Sequence, residues 1–195
     1  ILREAWNILN AIAEGKIESG DEKKLNALKG ETMAVIALCQ FDLTRCFGYP
    51  YTKDKGASLG APLIDHLVGT YENPSRSTVA QAYDFIIETL EEAVTLMSEE
   101  KNNGRMNKYA ARALLARIYL YHDDNRKAFD LADQLIKDAD TSGSYALYPH
   151  EKYVAAWSVE AKFGSESFFE IANSVDDTPG RDSWGYLLNW YGYQK

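Results

Sequence analysis

The stretch Lys108-Tyr109-Ala110-Ala111-Arg112-Ala113-Leu114-Leu115-Ala116-Arg117-Ile118-Tyr119-Leu120 decides the fold, because small and large apolar residues recur in it at helical spacing. Alanines let a second backbone approach closely. After only Asp123-Asp124-Asn125 the period resumes in Ala128, Leu131, Ala132, Leu135 and Ile136, which are expected to face inward. So short a link makes the two helices antiparallel neighbours.

This pair, roughly 34 residues long with alanines at its crossing points, resembles a degenerate tetratricopeptide repeat. Apolar positions at helical spacing predict two earlier helices. One runs through Leu2, Trp6, Leu9 and Ala13, the other through Leu25, Leu28, Met33, Ile36, Ala37, Phe41, Leu43 and Phe47. Gly15 to Gly20 separates them, and Gly48-Tyr49-Pro50 stops the second. A further helix starts at Thr78, with Gln81 three residues on to complete a capping box, and its buried stripe is Tyr83, Ile86, Ile87, Leu90, Val94 and Met97. Between them, residues 48–75 carry Gly56, Gly60, Pro62, Gly69 and Pro74 with little periodicity. A long loop is expected there, and long loops in compact domains are often functional. Beyond Pro149 a short helix is expected around Glu151 to Glu160. Phe168-Phe169-Glu170-Ile171-Ala172 has strand composition. Asp176 to Lys195, rich in Gly and aromatics, reads as loop.

Composition narrows the function classes. Apolar residues make up 46% and charged residues 26%, the balance of a soluble globular chain. No run approaches the roughly 20 apolar residues of a membrane span. The formal net charge of -8, from 21 basic against 29 acidic residues, argues against a nucleic-acid partner. Cys39 and Cys46 lie two helical turns apart, about 10 Å, beyond disulfide reach, and read as small core hydrophobes. There is no initiator Met, so both ends are expected to be cut.

Chemistry-bearing motifs are missing. No phosphate loop, metal-ligand spacing or nucleophile motif occurs, so no catalytic residue, metal or cofactor is expected. His66, His122 and His150 are far apart in sequence, and acidic pairs such as Glu91-Glu92 fit solvated helix faces. The aromatic residues, 12% of the chain with 13 Tyr, are more informative. Two groups escape the helical stripes: Tyr49, Tyr51 and Tyr71 in the long loop, and Trp184, Tyr186, Trp190, Tyr191 and Tyr193 near the end. Aromatic faces suit sugar rings, while polar neighbours such as Arg181, Asp182 and Asn189 bind hydroxyls. The alternative is that these rings pack under a loop or against another part of the protein.

Several segments together resemble the SusD/RagB family of outer-membrane nutrient-binding lipoproteins. They are Trp6-Asn7-Ile8-Leu9-Asn10, Leu28-Lys29-Gly30-Glu31, Phe41-Asp42-Leu43-Thr44-Arg45-Cys46-Phe47-Gly48-Tyr49-Pro50-Tyr51, Leu59-Gly60-Ala61-Pro62-Leu63, Arg76-Ser77-Thr78-Val79, the run from Asn107 to Leu120, and Glu166 to Ile171. Ala13 and Thr89 depart from the pattern, where members often carry Asn and Asp. The resemblance implies a mainly α fold of tetratricopeptide-like hairpins, a SusD-like superhelix with long irregular loops and a short strand near the C-terminus. Residues 1–195 would be one fragment of such a domain, with a helical scaffold over about 1–160 and a ligand-side segment over about 161–195. It also implies a glycan ligand and a SusC-like TonB-dependent transporter as partner. The location would be the extracellular face of the outer membrane, through an N-terminal lipid anchor absent from this chain. Two readings compete with it: a helical-repeat module for a peptide or protein partner, and a helical glycan-processing enzyme, which needs facing carboxylates.

Overall fold

A computed structural model of the chain describes residues 1–156 and 163–171. Its helices are α1 (Leu2–Ala13), α2 (Glu22–Phe47), α3 (Val79–Leu96), α4 (Lys108–Tyr121), α5 (Asn125–Ser142) and the single turn α6 (Tyr153–Ala156). Each long helix packs on the next, α1 on α2, α2 on α3, α3 on α4 and α4 on α5. The chain is thus a stack of neighbours, as helical repeats are.

Local signals account for the boundaries. Asp21 caps α2 by accepting from the amides of Lys23 and Lys24. Thr78 and Gln81 form the expected capping box at α3. Asn107 caps α4, and α5 closes on Gly143 in the left-handed conformation that glycine adopts without strain. The core lies where α2, α3 and α4 meet, around Ala34, Ala37, Phe41, Ile86, Leu90, Ala111 and Ile118. Gly30 sets the spacing of α2 against α3, for a Cβ there would lie 2.8 Å from Met97 Cγ and 2.9 Å from the Ala93 carbonyl oxygen.

Several expectations are corrected. The long loop is not wholly irregular: a 3-10 turn covers Tyr51–Lys53, and β1 (Leu59–Pro62) pairs antiparallel with β2 (Arg76–Thr78). Its Gly and Pro conceal strands of only three or four residues. The strand expected from Phe168 does not form over residues 168–171, and Ala172 lies outside the described residues. Instead the Phe168 ring packs against Tyr109 and Tyr145, and Phe169 leans on the main core. Phe47, Cys46 and Ile136 keep helical period but face outward, since each stands beyond the edge of its helix's buried stripe. The helix expected over 151–160 is formed at Tyr153–Ala156, and residues 157–160 lie outside the described residues. Among the described residues no helix is long and apolar enough to cross a membrane.

Candidate functional site

The three loop tyrosines are not brought together. Tyr49 is exposed, with Lys53 Nζ 3.0 Å from its ring centroid. Tyr51, across Pro50, turns inward and meets Tyr83 at 5.6 Å and His122 at 4.2 Å between centroids. Its ring serves packing, and burial in the same cluster pushes the Tyr83 hydroxyl up to about 12. Tyr71 is 95% exposed. Arg181, Asp182, Trp184, Tyr186, Asn189, Trp190, Tyr191 and Tyr193 lie outside the described residues.

Loop and helix do form a cleft elsewhere. A cavity of about 670 Å³ opens between residues 63–77 and the first turns of α3, a size suited to a small ligand. Its mouth is fixed from the scaffold side. Gln40, fully buried on α2, donates from Nε2 to the Pro62 carbonyl at 3.1 Å and accepts the Ile64 amide at 3.2 Å. Trp6 on α1 donates its indole N–H to the Ile64 carbonyl at 3.2 Å. Arg76 donates to the carbonyls of Gly60 and Leu59 at 2.7 and 2.9 Å, tying β2 to β1.

The walls differ in character. On the loop side His66 stands between Asp65 and Glu72, at 2.6 and 2.7 Å, and Glu72 also accepts the Gly69 amide at 3.0 Å. On the helix side Asp84, Glu88 and the half-buried Phe85 line the cleft. Ring face, carboxylate oxygens and serine hydroxyls together suit a ligand with apolar C–H faces and hydroxyl donors. Polyanions are disfavoured by the surplus of carboxylates.

A second cleft of about 490 Å³, between the start of α2 and the connection from α3 to α4, has its central polar groups engaged. There Glu31 accepts from Arg105 and from the Met106 amide. Asn107 is likewise committed to the Ala110 amide and the Tyr145 hydroxyl. That cleft reads as structural. Among the described residues no group of His, Cys, Asp and Glu could hold a metal ion, and His122 is wedged between the rings of Tyr51 and Tyr83.

The cleft residues on α3 escaped the sequence reading, although a signal was present. Gln81, Asp84, Phe85 and Glu88 recur at helical spacing on the face opposite the Tyr83, Ile86 and Leu90 stripe. A ring within an otherwise polar stripe is the clue. What could not be read is that residues 63–77 fold back over it.

A helical stack with irregular loops held on its surface is the architecture of SusD-like proteins, and comparison with known proteins agrees. Residues 2–120 match the SusD-like family model described as starch-binding associating with outer membrane. The chain belongs to this family. A SusD superfamily protein from Bacteroides vulgatus ATCC 8482 is 99% identical over 100% of this chain and 44% of its own, with a TM-score of 0.94. A SusD superfamily protein from Bacteroides thetaiotaomicron VPI-5482 is 40% identical over 92% of this chain and 38% of its own, with a TM-score of 0.85. A candidate sugar-binding protein from Bacteroides vulgatus ATCC 8482 is 39% identical over 99% of this chain and 43% of its own, with a TM-score of 0.88. The chain thus spans less than half the length of each of these relatives. No curated protein matches it.

Proposed function

We propose that this chain is part of a cell-surface protein that binds oligosaccharide or polysaccharide nutrients without altering them. It passes them to a SusC-like TonB-dependent transporter and is held on the extracellular face of the outer membrane by an N-terminal lipid anchor. The observation that carries this reading is the match of residues 2–120 to a family described as starch-binding. The helices act as support, and the loops make the contact. Trp184, Trp190, Tyr186, Tyr191 and Tyr193 supply stacking faces in this reading, with Arg181, Asp182 and Asn189 binding hydroxyls; Tyr49 and Tyr71 offer further exposed rings. The α3 cleft is a second place with the same chemistry. Binding rather than hydrolysis is supported there, because Asp84 and Glu88 are one turn apart on a single helix and Glu72, on the opposite wall, is engaged with His66 and the Gly69 amide.

The test uses the full-length protein and a glycan panel read by calorimetry. For a glycan that binds, the double variant Trp184→Ala, Trp190→Ala is expected to weaken affinity at least about tenfold, since each stacked ring contributes roughly 1 kcal/mol or more. Unchanged affinity would remove these residues from the site.

A further inference from the structure

His66 is placed so that both ring nitrogens face carboxylate oxygens, Nδ1 toward Asp65 at 2.6 Å and Nε2 toward Glu72 at 2.7 Å. An ionised carboxylate only accepts, and a neutral imidazole has one donor and one acceptor nitrogen. Neutral His66 would therefore set a lone pair against one of the two carboxylates. Only the imidazolium satisfies both. We propose that His66 is a proton-operated clasp: protonated, it ties Asp65 to Glu72 and closes residues 65–72 into the wall of the α3 cleft, and deprotonated, it releases that wall.

The groups around it fit this role. From its own loop Asp65 and Glu72 face the ring, and Glu72 reaches on to the Gly69 amide at 3.0 Å, so the clasp closes a turn that carries Tyr71. On the same side of the cleft stands Arg76 of β2, and across it Asp84 and Glu88 of α3. Arg76 donates to the carbonyls of Gly60 and Leu59 and keeps its positive charge, which opposes the cation, whereas the carboxylates of Asp84 and Glu88, like those of Asp65 and Glu72, favour it. The Asp65 bond, then the Glu72 bond, raise His66 above its ordinary 6.5, and the Gly69 amide, then His66, hold Glu72 below its ordinary 4.5.

The sign follows. A group raised in the folded protein adds its stabilisation fully below its unfolded value and loses it as pH rises through the folded one; for a lowered carboxylate the loss comes as pH falls. The clasp is closed from below 4.5 to above 6.5 and opens on the alkaline side.

Histidine NMR titration of the full-length protein tests it, with the His66 signal assigned by its loss in His66→Gln. The expected midpoint lies above 6.5 and falls in Glu72→Gln, which keeps the side-chain shape and removes the charge. Hydrogen-exchange protection of the Gly69 amide, corrected for intrinsic exchange, is expected to drop severalfold as pH rises through that midpoint. In His66→Gln the drop is expected to vanish. A midpoint at or below 6.5 overturns the clasp. So does Gly69 protection that ignores the titration, or that falls equally in His66→Gln.

Discussion

Asn107 shows how much one side chain can organise. It is 5% exposed, yet both side-chain polar atoms have partners. Oδ1 caps α4 through the Ala110 amide at 3.0 Å, while Nδ2 donates to the Glu100 carbonyl at 3.2 Å and the Tyr145 hydroxyl at 2.7 Å. Replacing it with Ala removes the cap, which costs about 1 kcal/mol, and strands the hydroxyl of the buried Tyr145 and a carbonyl, which costs about 1 to 3 kcal/mol more. Asn107→Ala is therefore expected to lower unfolding free energy by about 2 to 4 kcal/mol in urea denaturation. Tyr145→Phe, which removes only one partner, should cost about 1 kcal/mol. Equal losses from the two changes would show that the cap contributes nothing. The sequence opens the Ala-rich helix at Lys108 without singling out Asn107 as its cap, and the link to Tyr145, 38 residues on, belongs to tertiary structure.

At the scale of elements, the long helices were legible because their buried stripes are long and regular. The capping box at Thr78 was legible because it is local. Short elements were not. β1 and β2 have too few residues for a period to show, and they exist because Ser77 and Arg76 reach back to the carbonyls of residues 59–61. The Phe168 run erred the other way, as strand-forming composition went with ring packing: Phe168 lies against Tyr109 and Tyr145. Gly30 carries the clearest consequence at this scale. In a helix interior, Gly to Ala ordinarily gains up to about 1 kcal/mol. Here the added carbon would meet the Ala93 carbonyl at 2.9 Å, and backbone cannot step aside as a side chain can. Overpacking of this kind costs about 1 to 3 kcal/mol, so Gly30→Ala is expected to be net destabilising, by about 1 kcal/mol, in denaturant titration. A gain in stability would mean that α2 and α3 can move apart freely.

Across the whole molecule the site was less legible than the scaffold, for a physical reason. Helices declare their buried faces in sequence, whereas a cleft exists only once two distant segments meet, as residues 63–77 do with α3. The sequence placed function on the loops and favoured aromatic rings. The structure turns Tyr51 into the core, leaves Tyr49 and Tyr71 apart, and makes its cleft from Phe85 and polar neighbours. Because each helix packs mainly on the next, stability should be local along the stack. Leu135 tests this: it is 4% exposed and belongs to a small cluster with Tyr109, Ala139 and Tyr145, separate from the main core of α2, α3 and α4. Leu135→Ala is expected to cost about 2 to 4 kcal/mol. In hydrogen exchange on the full-length protein, that loss should fall on α4 and α5 while α2 and α3 keep their protection. Equal loss in all four helices would mean that the stack opens as one cooperative unit, in which case the loops over α3 depend on the far end of the scaffold as much as on the helices beneath them.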